Sequence, residues 1–97
     1  MCDVYLERDG ATYLVSVKGH ATGSTETCAA ISSLACALEG FLLNADFVET
    51  EEAHVESGNV LFKWRGGSDE VWTLLVVGFL RIQESDPDRV SVSVADC

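Results

Sequence analysis

Proline occurs once in the 97 residues, and Lys and Arg together only six times against sixteen Asp and Glu, a formal charge of −10. The scarcity of proline and the absence of low-complexity segments exclude a linker or a disordered tail. With 47% hydrophobic and 23% charged residues the chain can bury a core. The scarcity of basic residues excludes phosphate-backbone binding, so no nucleic-acid partner is expected, and an anionic membrane would be repelled. A surface of this sign suits basic proteins or peptides instead. The longest apolar run, Val71 to Leu80, is broken by Thr73 and Gly78 and falls short of the roughly 20 residues that cross a bilayer, so no membrane span is expected. Four cysteines are present without a Cys-x-x-Cys pair, and neither His20 nor His54 completes a zinc spacing, so no metal site and no cofactor are expected. Met1-Cys2-Asp3 opens no basic and then apolar leader, which predicts reduced thiols in a cytoplasmic protein.

What is present fits one domain over residues 1–97, since domains usually run to about 100 to 200 residues. Val4 and Leu6 alternate with Tyr5 and Glu7, Asp9-Gly10 turns the chain, and Tyr13, Val15 and Val17 alternate with Leu14, Ser16 and Lys18, a hairpin pattern. Gly19 to Thr25 is small and polar and ends in capping residues. From about Glu26 to Asn44, Ile31, Leu34, Ala35, Leu38, Phe41 and Leu42 recur at three and four, which predicts an amphipathic helix. Asp46 to Ser57 carries Asp46, Glu49, Glu51, Glu52 and Glu56 without a Lys or Arg and reads as an exposed edge strand. Ser57-Gly58-Asn59 is turn chemistry, and Val60, Phe62 and Trp64 continue the second hairpin. Ser68 can cap a second helix with Asp69 and Glu70 in its first turn, stopped by Asp86-Pro87. Apolar residues wrap nearly around that helix, more than one sheet face can cover, so a homodimer is expected. Val90, Val92 and Val94 alternate with serines in a last strand. The order ββαββαβ predicts the α+β class, an antiparallel sheet with two helices packed on one face.

One pair of residues can do covalent chemistry. Cys28 stands at the start of the first helix, where the dipole and free backbone N–H groups lower a thiol pKa and could form an oxyanion hole. His20 closes the preceding strand with seven residues between it and Cys28, enough for the chain to reverse and bring a base to the sulfur. By themselves these features are common: a helix-starting Cys is usually a small buried hydrophobe and a loop His is usually solvated. Cys36, beside Leu34, Ala35 and Leu38, reads as core packing, Cys2 and Cys97 as inert ends, and His54 as a solvated surface histidine. Trp64 and Trp72 read as core or interface residues.

Gly19-His20-Ala21, a short glycine-containing loop, and Cys28-Ala29-Ala30-Ile31-Ser32 resemble the signature of the bacterial ribosomal-processing cysteine proteases, the Prp family. The resemblance extends over nearly the whole order of elements. It implies a thiol protease with His20 as general base and Cys28 as nucleophile, and the motif residues Gly19, Ala21 and Ala29 are expected at the substrate site; Ser32, one helical turn after Cys28, can touch substrate there or equally cap a neighbouring carbonyl. It further implies homodimers and a substrate that is a large-subunit ribosomal protein precursor, trimmed of an N-terminal extension after aromatic residues. Two departures stand out. The loop between the motifs is shorter than in better-known members, and Thr25 occupies the family's usual acidic position three before the cysteine, which leaves Glu26 as the candidate orienting residue. The short loop is also similar to phage and prophage members, whose substrate would be a capsid or scaffolding protein. Outside the enzyme class, the alternative is a non-catalytic acidic protein-binding module that recruits a partner through its apolar second helix.

Overall fold

The computed structural model describes residues 1–67 and 69–96; the expected helix cap Ser68 and the thiol Cys97 lie outside them. The chain runs β1 (Cys2–Asp9), β2 (Thr12–Gly19), α1 (Thr25–Asn44), β3 (Val48–Glu56), β4 (Asn59–Gly66), α2 (Asp69–Ser85) and β5 (Val90–Asp96). This is the expected order. Asp9 pairs with Thr12 and Glu56 with Asn59, so both hairpins close through two-residue turns, and Gly10 and Gly58 supply the positive φ (61° and 75°) that such turns require.

The five strands form one sheet in the order β3-β4-β2-β1-β5. Three neighbouring pairs are antiparallel, while β5 lies parallel to β1 in the register Cys2 to Val90. The parallel pair follows from α2, a crossover that returns the chain to the same end of the sheet before β5 begins. The alternating valines of β5 announce a half-buried strand but not its neighbour, so local pattern did not specify this pairing.

One face of the sheet carries Val4, Leu6, Tyr13, Val15, Val17, Phe62, Trp64 and Val90, all buried. Both helices cover it, α1 through Ile31, Ala35, Leu38 and Leu42 and α2 through Trp72, Leu75 and Phe79. Tyr13 stacks on Trp64 with ring centroids 5.3 Å apart, and the Arg8 guanidinium lies 4.5 Å above the Trp72 ring. By length and composition α1, with a mean hydropathy of 1.4, comes nearer to a membrane span than Val71 to Leu80 does; its apolar stripe is packed on the sheet. The edge strand β3 is exposed beyond Val48, and its pairing with β4 slips between Thr50 and Glu52. Such a bulge beside a row of carboxylates blunts an open edge against pairing with other chains.

At one end of this sheet five segments meet. The start of β1, the end of β2, the β3–β4 turn, the first turn of α1 and the α2–β5 connection are brought together by the pairings of Cys2 with Gly19 and Val90, and of Lys18 with Asn59.

Candidate active site

Backbone geometry at this end leaves room for only certain residues. Gly19 has φ 87°, its N–H donates to the Gly58 carbonyl at 2.9 Å, and a Cβ on it would stand 2.4 Å from the Met1 carbonyl oxygen. Glycine is therefore required where β2 ends. His20 follows directly, exposed, with its ring over Gly58: a Cβ on Gly58 would fall 2.7 Å from Nε2. The second hairpin turn thus forms the seat of the imidazole.

From His20 the chain drops into the fold at Ala21, which is buried, and rises to Ser24, the N-cap of α1. Ser24 Oγ accepts the Thr27 N–H at 3.2 Å. The Thr27 hydroxyl in turn donates to Asp86 at 2.7 Å, and Arg89 donates to Asp86 at 3.1 Å and to the Thr22 carbonyl at 3.1 Å. The hydrogen bond from Thr27, with that from Arg89 and its charge, holds the Asp86 carboxyl below its usual range. This clamp ties the loop and the first turn of α1 to the α2–β5 connection. Cys28 sits one turn into the helix, and its thiol donates to the Ala21 carbonyl at 3.4 Å.

A cleft of about 400 Å³ opens between these parts. His20, seated on Gly58 of the segment 55–60, lines it together with Cys28, Ser32 and Cys36 of α1, and Val17, Ile31 and Ala35 supply apolar lining. Gly19 and Ala21 also border it. Ala29 and Glu26 are not among the lining residues; both are exposed on α1. The helix start also has less to offer an oxyanion than expected, because the Thr27 and Cys28 N–H groups are taken up by Ser24 Oγ and the Ser24 carbonyl.

Two expectations are corrected. Cys2 is not a loose end: it is 1% exposed, at the first position of β1, and lines the cleft. Cys36 is not core but exposed on the cleft side of α1. His54 is exposed, as expected, and Trp64 and Trp72 are buried. Sequence reading also missed the wall from Val55 to Val60. Its one signal was the Ser57-Gly58-Asn59 turn, whose place beside His20 depends on the β2–β4 register.

No protein-family model and no curated protein matches the chain. Among solved structures, SMU.848 from Streptococcus mutans superposes with a TM-score of 0.69 at 21% identity, over 100% of this chain and 96% of that one. The essential ribosomal processing protease Prp from S. aureus, solved in complex with a covalently linked product peptide, superposes with a TM-score of 0.69 at 17% identity, over 97% of this chain and 99% of that one. The chain has the Prp fold. At these identities the likeness is one of architecture, and it spans every element described above. Within the Prp fold of this chain, both motifs that resemble the family in sequence, Gly19-His20-Ala21 and Cys28-Ala29-Ala30, fall at the same end of the sheet.

Proposed function

We propose that the chain is a cysteine endopeptidase with a Cys28–His20 dyad, which removes a short N-terminal extension from a large-subunit ribosomal protein precursor by cutting after aromatic residues. The observation that carries this reading is the meeting of a loop histidine and a helix-start cysteine at one cleft in a chain with the Prp fold. His20 takes the thiol proton of Cys28, the thiolate attacks the scissile carbonyl, and the imidazolium returns the proton to the leaving amine; water then releases the acyl group by the same exchange. Apolar lining from Val17, Ile31, Val55 and Val60 suits an aromatic side chain before the cut. That the S. aureus protein holds a covalently linked product peptide supports a peptide substrate here. A charge of −10 favours a basic one. The reading includes a cytoplasmic homodimer joined through α2.

A second substrate, a phage capsid or scaffolding protein, is favoured by the short loop between His20 and Cys28. Incubating the chain with one peptide from a ribosomal extension and one from a capsid protein, with products read by mass spectrometry, separates the two. Cys28→Ser is expected to abolish cleavage with the fold retained, because a hydroxyl, with a pKa far above that of a thiol, is not activated by a histidine tuned for sulfur. Turnover in that variant would move the chemistry away from Cys28. If neither peptide is cut and iodoacetamide labels Cys97 before Cys28, the binding-module reading replaces the enzyme.

A further inference from the structure

The dyad leaves one feature of the cleft unused, a second, buried thiol that lines it together with the proposed nucleophile. Cys2 points to the helix-covered face with Val4 and Leu6, and its N–H donates to the Arg89 carbonyl at 2.8 Å, which fixes the start of β1. It pairs across the sheet with Gly19. Two residues past Gly19 is the Ala21 carbonyl, which accepts the Cys28 thiol at 3.4 Å. Both sulfur residues line the same cleft.

We propose that Cys2 and Cys28 are a reversible oxidation site, with Cys2 as the resolving thiol that closes an intramolecular disulfide onto Cys28 after a peroxide has oxidised it. Cys36, the third free thiol among the described residues, cannot take this part. It lies eight residues further along the same helix, a rise of about 12 Å, whereas a disulfide needs Cα atoms within about 7 Å. Burial, then the charges of Asp3 and Cys28, push the Cys2 thiol up, and because Cys2 is buried while Cys28 is half-buried, Cys28 is the thiol that meets peroxide first.

The chemistry balances in two steps. The Cys28 thiolate attacks hydrogen peroxide: an S–O bond forms, the O–O bond breaks, sulfur loses two electrons, and hydroxide leaves, giving sulfenic acid. Cys2 sulfur then attacks Cys28 sulfur: the S–S bond forms, the S–O bond breaks, and the departing hydroxide takes the Cys2 proton as water. A dithiol reverses the bond. The disulfide itself needs no protease; that it silences cleavage rests on Cys28 being the nucleophile.

The test treats the full chain with hydrogen peroxide, blocks remaining thiols under denaturing conditions, and maps linked peptides by mass spectrometry beside a cleavage assay. The expected product is a Cys2–Cys28 linked peptide lighter by two hydrogens, with cleavage lost and then restored by dithiothreitol. Cys2→Val, an apolar strand residue of similar size, should give no link, and Cys28 should pass to sulfinic acid that dithiothreitol does not reverse. Cys36→Ser should leave the link in place. Cys2 still open to alkylation after Cys28 is oxidised, or Cys28 linked to Cys36 or Cys97, would overturn the proposal without recourse to any variant. A Cys2–Cys28 link that leaves cleavage intact would uphold the oxidation site and instead sink the reading of Cys28 as nucleophile.

Discussion

His20 is held by shape. Among the described residues no hydrogen bond or ion pair reaches it, and its ring rests against Gly58, whose φ of 75° already favours glycine. Gly58→Ala is therefore expected to do two things at once. The strained backbone should cost about 1–2 kcal/mol of stability, and the new Cβ should push the imidazole off its seat, lowering kcat about 10²-fold as small misplacements of catalytic groups do. Melting curves and peptide cleavage rates, measured together, separate the effects; a variant that is less stable but equally fast would show that the seat does not position the base. The carboxylate question belongs to the same scale. Since Glu26 lies off the cleft, Glu26→Gln should change the rate little, whereas His20→Ala should lose about 10²- to 10⁴-fold, the usual worth of a general base. Rates of both variants from about pH 6 to 9, spanning the ordinary His and Cys values, give the answer. Equal damage in both would mean a triad. His20 and Cys28 were legible because strand end, loop and helix start follow one another in the chain. Cys2 was not, because its burial depends on Gly19 and Val90, both far from it in sequence.

Among the elements, local chemistry and observed structure agree most closely where a period or a cap acts alone. The stripe from Ile31 to Leu42 and the alternations in β1, β2 and β4 name the buried face directly. Asp86 shows where such reading stops. In the sequence it is the stop of α2 before Pro87; in the structure it also receives Thr27 and Arg89 and so braces the loop that carries the proposed dyad. Its pKa is lowered from 3.8 by the Thr27 hydrogen bond first and by Arg89 second. A carboxylate so depressed adds stability that is fully present above its unfolded value and is lost as pH falls through the folded one. Asp86→Asn should accordingly be less stable than the parent at neutral pH, with the difference shrinking below 3.8. Denaturant melts at a series of pH values check this. A constant difference down to pH 2 would mean that the clamp acts through packing rather than charge.

For the whole molecule, two large features oppose each other. The outer side of α2 leaves Leu74, Val77 and Leu80 at 69%, 51% and 39% exposure, the excess that its all-round apolar sequence implied once the sheet had covered Trp72, Leu75 and Phe79. Burial of such a face against a second copy is favourable at roughly 25 cal/mol per Å². Each copy, however, brings a charge of −10, and Asp69 and Glu70 border Leu74. Association therefore has to overcome repulsion between like charges, which salt weakens, since the screening length shrinks from about 10 Å at 0.1 M to about 3 Å at 1 M. The expected outcome is a dimer that tightens as salt is raised, the reverse of what an interface built on ion pairs would show. Sedimentation equilibrium at micromolar chain concentration over that salt range measures it. Leu74→Asp with Val77→Asp should give a monomer at every salt concentration while changing the stability of the isolated chain by no more than about 0.5 kcal/mol for each exposed site. A parent chain that stays monomeric in high salt would leave the α2 face without a second copy, and a doubly substituted chain that still dimerises would move the interface to another surface.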